Sequence, residues 1–161
     1  MPLHNLKNSS MGRKPFQFSS NESSLFALSG IKERFSADVC SLYLFESDYQ
    51  LLRLEATDGL LQSAVGHTCL RPGEGLAGLV FDHQETFCTP IAPEHPKFRY
   101  FPNIGEETFQ SFIGTPMMQG KEAIGVLILQ YLQARDHSLK EMEDLEEAAH
   151  ELGMELDLVI G

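Results

Sequence analysis

Two cations and three aromatic side chains occupy five consecutive positions of a proline-rich stretch, and their chemistry suits ligand binding. The run reads Lys97-Phe98-Arg99-Tyr100-Phe101. A guanidinium can hold a carboxylate through two parallel hydrogen bonds, and aromatic rings form the walls of many small-molecule pockets. The same residues could instead close a core beneath surface cations. The pocket interpretation predicts that Arg99 pairs with a ligand carboxylate while Phe98 and Tyr100 enclose the ligand.

A glycine-rich turn, RPGEGLAG at residues 71–78, precedes this stretch. Its glycines match the G-x-G-x-x-G dinucleotide fingerprint, but a proline separates them from the preceding strand and no repeated βαβ pattern surrounds them. We therefore interpret the turn as one that exposes amide groups at a helix start, where a small anion can bind. Glu74 disfavours a polyphosphate, so an amino acid or a carboxylic acid fits better. The predicted contacts here are Arg71, Gly75, Leu76, Ala77 and Gly78.

The residues that could bind a metal or act as a nucleophile show no recognised spacing. His83, Cys88, Glu94 and His95 match no standard zinc pattern and suit surface and turn positions. The three cysteines are odd in number, lack CxxC spacing and lie in apolar strand-like contexts, which is typical of reduced, inert thiols. A nucleophile at Cys69 or Cys88 is the enzymatic alternative. We expect no catalytic residue, no metal and no cofactor.

Length and charge limit the classes of partner. The 161 residues suffice for one domain that needs no disulfide or metal to fold. The net charge is −11, and because residues 1–20 carry three cations and no acid, the remainder carries −14. Such a domain repels nucleic acid. No stretch has the length of a membrane span, and the N-terminus lacks a signal-peptide core. We expect a disordered basic leader at 1–20, a sensory domain at 21–161 and a cytoplasmic location.

Periodicity predicts the elements that position these residues. The pattern indicates a helix from Ser20 or Asn21, and a terminal helix that opens with a capping box at Ser138 and Glu141. The apolar run from Ala123 predicts a strand at the sheet centre. The long connection at 93–110 suits a lid. The predicted strands are 37–45, 51–56, 65–70, 86–91, 112–118 and 123–132, with a short helix before the fourth. This order predicts an α+β fold in which an antiparallel sheet has helices on one face and pocket-forming loops on the other.

The terminal helix carries apolar residues spaced by three and four. This is a seam of coiled-coil type, and Gly153 within it weakens the helix by about 1 kcal/mol relative to alanine. The seam either packs on the sheet of the same chain or pairs with the helix of a second copy. Its residues are Met142, Leu145, Ala149, Leu152, Leu156 and Val159.

Four segments resemble the GAF domain: 37–44 (ADVCSLYL), 54–60 (LEATDGL), 70–78 (LRPGEGLAG) and 112–117 (FIGTPM). The similarity spans about residues 25 to 160. The lid sequence HPKFRYFP at 95–102, followed by Gly105-Glu106-Glu107, is similar to the N-terminal GAF domain of nitrogen-type enzyme I of the phosphoenolpyruvate phosphotransferase system.

The resemblance implies a six-stranded antiparallel sheet, a pocket roofed by the lid, and terminal helices that pair in homodimers. It implies a regulatory module that senses a small polar metabolite, an amino acid or keto acid such as glutamine or 2-oxoglutarate, within phosphotransferase or nitrogen signalling. We place Tyr43 on the pocket floor and Phe112 in its wall. The phosphorylatable histidine and the phosphoenolpyruvate site of full-length relatives do not fit in this chain, so we expect no phosphotransfer. The alternatives are a free methionine sulfoxide reductase that uses Cys69 and a ligand-free dimerisation module.

Overall fold

Six strands and three α-helices make up the described part of the chain. A computed structural model describes residues 16–101, 105 and 109–160. The elements in chain order are α1 (Phe16–Arg34), β1 (Val39–Glu46), β2 (Leu51–Asp58), β3 (Cys69–Leu70), α2 (Gly75–His83), β4 (Phe87–Thr89), β5 (Ser111–Gln119), β6 (Glu122–Tyr131) and α3 (Leu139–Glu155), with single 3-10 turns at Gln62–Ala64 and Ala92–Glu94.

The strands form one antiparallel sheet in the order β3-β2-β1-β6-β5-β4. The two long strands β1 and β6 lie at its centre, as the apolar run from Ala123 predicts. Both faces of these strands are covered, and such strands read as nearly continuous apolar sequence. The predicted α+β class and the six-stranded antiparallel sheet are confirmed.

The sheet separates two cores. On one face α1 and α3 cover Leu42, Ile113 and Leu127, which are each at most 2% exposed. On the other face α2 and the loops cover Val126 and Ile128. The terminal helices therefore share one face, and the candidate site lies on the other, as predicted. None of the described helices combines the length and apolar character needed to cross a membrane.

Several element boundaries differ from the predictions. Helix α1 begins at Phe16, one turn before the predicted cap, because Ser and Asn lower helix propensity only modestly. Within this helix Leu25 is 37% exposed, whereas Leu28 is fully buried. Strand β3 has two residues, since residues 65–67 of the predicted strand form a turn in which the His67 and Thr68 amides donate to the Ala64 carbonyl. Residues 1–15 of the predicted leader lie outside the described residues.

The seam of the terminal helix packs on the sheet of its own chain. Leu145, Ala149 and Leu152 are each at most 1% exposed and belong to the helix-side core. The capping box at Ser138 and Glu141 is present as predicted. The helix ends at Glu155, so the regular spacing out to Val159 is not helical. Instead the chain turns back and Val159 packs onto Gly153.

Candidate functional site

A cavity lies between the sheet and the proline-rich loop, on the face opposite α1 and α3. Its volume is about 40 Å³. A single water needs roughly 10–15 Å³ by this measure, so the cavity has room for about three waters or a small organic group. The lining residues come from the sheet, from α2 and from the loop: Tyr43, Leu70, Leu76, Ala77, Ala92, Phe98, Arg99, Phe101, Phe109, Ser111, Phe112, Ile128 and Gln130.

Strands β1, β5 and β6 form the floor. Phe112 and Gln130 are cross-strand partners and so present their side chains to the same face. Tyr43 is 5% exposed and lines the floor from the neighbouring strand. Ser111 lies opposite Tyr131, whose side chain belongs to the helix-side core, so Ser111 borders the cavity through its backbone. The polar side chains of the floor are thus Tyr43 and Gln130, set among apolar neighbours.

The glycine-rich turn forms the start of α2 and one wall. The Gly73 amide donates to the Gly78 carbonyl at 2.9 Å, and the Gly78 amide donates to the Glu74 carbonyl at 3.1 Å. A Cβ on Gly78 would lie 2.7 Å from the Arg71 carbonyl oxygen, so only glycine lets the helix approach the turn this closely. This packing places Leu76 and Ala77 against the cavity.

The described part of the lid is anchored at its base by local contacts. The Ala92 amide donates to the Gln110 carbonyl at 2.6 Å, which ties the start of the loop to the residue before β5. The His95 ring meets the Phe87 ring edge-on at 5.0 Å, and the Phe98 amide donates to the His95 carbonyl. These contacts turn the chain so that Phe98 and Arg99 border the cavity.

Arg99 is the only formally charged side chain among the described residues that line the cavity, and it is paired. Its guanidinium donates to one carboxylate oxygen of Glu74 and lies 5.2 Å from the ring centroid of Phe101. The other Glu74 oxygen accepts from the Arg71 amide at 2.9 Å. The positive charge on the wall of the cavity therefore has a negative charge directly behind it, on Glu74, which does not line the cavity.

The structure brings together some of the sequence-predicted site residues and separates others. Those that line the cavity are Tyr43, Leu76, Ala77, Phe98, Arg99 and Phe112. Arg71 is exposed and contributes its amide to Glu74, and the Gly78 amide is used inside α2. Gly75 is buried beside Arg99 without lining the cavity, and Tyr100 is 49% exposed.

Sequence reasoning missed several lining residues, of which Gln130 is the polar side chain. A signal was present, because Gln130 is the one polar residue in the run from Ala123 to Tyr131 and lies two positions from Ile128 on the same face. The other missed residues are Leu70, Ala92, Phe101, Phe109, Ser111 and Ile128.

The thiols lie apart from the cavity lining. Burial raises the pKa of Cys40 and of Cys88, so both favour the neutral thiol. Cys69 is half-buried on β3 opposite Arg53. Within the described ranges, no three His, Cys, Asp or Glu side chains are grouped as metal ligands would be.

Comparison with known proteins identifies the class to which this fold and cavity belong. Residues 27–156 match the family model of the GAF domain, so the chain belongs to the GAF domain family. This confirms the resemblance found in the sequence.

The chain is similar to the GAF domains of phosphoenolpyruvate-protein phosphotransferases. One solved structure, the domain from Coxiella burnetii, is 31% identical with a TM-score of 0.78 and matches 84% of this chain and 81% of that one. The Acinetobacter domain is 27% identical with a TM-score of 0.75, matching 94% and 93%. Curated phosphoenolpyruvate-dependent phosphotransferase system proteins of Salmonella typhimurium and Escherichia coli are each 33% identical over 102 residues, which are 63% of this chain and 14% of theirs.

A type II free methionine-R-sulfoxide reductase from Thermoplasma acidophilum has the same fold. Its TM-score is 0.73 at 20% identity, with 90% of this chain and 99% of that one matched. At this identity the likeness concerns the fold alone.

Proposed function

We propose that this chain is a regulatory GAF domain that binds a small polar metabolite, an amino acid or a keto acid, in the cavity beneath the lid. The observation that carries the proposal is the composition of the cavity. It is mostly apolar and aromatic, with Tyr43, Gln130 and Arg99 as its polar side chains. Small-molecule sites combine an apolar lining with a few polar groups that fix orientation.

The charge of the cavity favours a small ligand with at least one carboxylate. Room for about three waters is less than an amino acid, a keto acid or a nucleotide needs, so each of these ligands requires the lid to move, and a nucleotide requires the largest movement. A carboxylate would pair with the Arg99 guanidinium, and Gln130 can both donate and accept hydrogen bonds. Glutamine and 2-oxoglutarate fit this chemistry and agree with a role in phosphotransferase or nitrogen signalling.

In this proposal the effect of ligand binding is transmitted through the sheet to the terminal helices. Tyr43 borders the cavity, and its neighbour Leu42 packs in the core beneath α1 and α3. A ligand that prefers one lid position would shift the packing on both sides of the same strand. A homodimer would use surfaces of α1 and α3 other than the α3 seam, because that seam is buried in its own chain.

A thermal-shift screen against amino acids, keto acids and nucleotides tests the proposal. A ligand at a hundred times its Kd adds about 2.7 kcal/mol to the free energy of unfolding, which raises Tm by about 5–10 °C for a domain of this size. Arg99→Ala should weaken binding by about tenfold or more, because it removes a charge-assisted hydrogen bond. Lys97→Ala is the matched control, since it removes an exposed lid cation that does not line the cavity. Equal affinities of the two variants would remove Arg99 from the site.

A further inference from the structure

The carboxylate of Glu74 is held at both of its oxygens. One oxygen accepts from the Arg71 amide at 2.9 Å, and the other accepts from the Arg99 guanidinium. The Glu74 side chain is 26% exposed, whereas that of Arg99 is 54% exposed. Glu74 is the residue that immediately precedes α2, where the helix dipole favours a negative charge. The carboxylate therefore has a fixed position beside the cavity.

The described part of the lid contacts the first turn of α2 through Arg99 and Phe101, around this ion pair. A Cβ on Gly75 would lie 3.6 Å from Arg99 Cβ and 3.9 Å from the Phe101 ring, so the two segments are in close contact there. The Arg99 guanidinium also faces the Phe101 ring, within the range of a cation–π contact. The ion pair thus joins the lid to the helix that forms the opposite wall.

We propose that Glu74 is an internal latch. Its carboxylate is paired with the Arg99 guanidinium that a ligand carboxylate needs, and the ligand binds by displacing the Glu74 carboxylate from Arg99. This inference rests on the proposed function, because it concerns the same cavity. The exchange replaces one carboxylate by another, so Arg99 stays paired in both states. The released Glu74 keeps the Arg71 amide and the helix dipole, and water can reach it.

The latch also selects among ligands by charge. After displacement, Glu74 remains beside the bound ligand as a negative charge. An amino acid brings an ammonium group that this charge attracts, whereas a second ligand carboxylate is repelled. Glu74 thereby disfavours dicarboxylates relative to zwitterions in the same cavity.

Glu74→Gln tests the latch, because it removes the charge and keeps the shape. The probes are 2-oxoglutarate and L-glutamine, titrated calorimetrically into the whole chain. The quantity compared is the Kd of 2-oxoglutarate divided by the Kd of L-glutamine. We expect this ratio to be about tenfold lower in Glu74→Gln than in the unmodified protein, which corresponds to about 1.4 kcal/mol. Glu151→Gln is the matched control, since it makes the same charge change on the exposed face of α3, across the sheet, and should leave the ratio unchanged.

Removal of the latch should also tighten the binding of both ligands. With binding to the unmodified protein intact, affinities for both ligands that are unchanged in Glu74→Gln would overturn the latch, an unchanged ratio would overturn the selection by charge, and either result would leave the proposed function standing. Absence of binding in every protein would instead overturn the proposed ligands. In that case the latch is decided by a measurement that needs no ligand.

That measurement is tryptic cleavage after Arg99, relative to cleavage after the exposed Lys121 in the turn between β5 and β6. Cleavage of a transiently opened segment follows its open population. Loss of an ion pair worth about 1 kcal/mol raises that population about fivefold. We expect this increase in Glu74→Gln and none in Glu151→Gln. Equal cleavage ratios in all three proteins would show that Glu74 does not hold the lid.

Discussion

Replacing Gly153 by alanine separates what helix propensity predicts from what the packing predicts. In a helix interior, alanine is more stable than glycine by about 1 kcal/mol. Gly153 lies in α3, but a Cβ there would lie 2.5 Å from Val159 Cγ2 and 3.2 Å from Met117 Sδ. The two effects have opposite signs, so the measured Tm decides between them.

Val159 has little freedom to move away from an added methyl group. Its amide and that of Leu158 both donate to the Gly153 carbonyl, at 3.0 and 2.7 Å. Its β-branched side chain has few rotamers and is 6% exposed. Overpacking of this kind destabilises by about 1–3 kcal/mol. After subtraction of the helix term, we expect a net loss of about 1 kcal/mol and a Tm lower by about 2–4 °C.

Gly30→Ala is the matched control for this experiment. Gly30 lies within α1 and a Cβ there meets no atom within 4 Å, so alanine should raise Tm by about 1–4 °C. Thermal unfolding followed by circular dichroism measures both variants. In the Gly153→Ala background, Val159→Ala should destabilise much less than it does alone, since the two side chains compete for one space. A rise in Tm for Gly153→Ala equal to that for Gly30→Ala would refute the packing argument.

Two further outcomes follow from titratable groups. Burial lowers the pKa of His137 below its ordinary value of about 6.5. The unfolded chain therefore binds the proton more readily than the folded one, and the free energy of unfolding falls as pH drops below about 6.5. His137→Phe should reduce this fall when urea midpoints are compared at pH 7.5 and 5.5. Since Cys69 does not line the cavity, we expect the unmodified protein to show no thiol-dependent reduction of free methionine sulfoxide. Reduction by the unmodified protein that is lost in Cys69→Ser would instead favour the reductase alternative.

Features set by local sequence were predictable. The capping box of α3 depends on two residues three apart, and the central position of β6 follows from its uninterrupted apolar run. The lid was recognisable because three prolines and three aromatics in ten residues do not suit a regular element. The sequence resemblance then supplied the family, which the comparison confirms.

Features set by contacts between distant residues were not predictable. In the sequence, the spacing of the α3 seam continues to Val159. In the structure, Val159 lies beyond the end of α3 and contacts Gly153, because the chain reverses direction after the helix. The sequence likewise places Arg71 and Glu74 three positions apart without showing that Glu74 reaches Arg99, 25 positions later. Tyr100 and Arg99 are adjacent in the chain, yet only Arg99 borders the cavity.

The most direct test of the proposed function is to fill the cavity and measure binding. Ala77→Leu adds three carbon atoms to a side chain that lines a space for about three waters, whereas Ala134→Leu makes the same change at an exposed position between β6 and α3. With circular dichroism showing that both variants are folded, titration calorimetry with L-glutamine and 2-oxoglutarate gives the answer. We expect binding by the unmodified protein and by Ala134→Leu, and its loss in Ala77→Leu. Binding of equal affinity in Ala77→Leu would place the ligand elsewhere and contradict the proposed site.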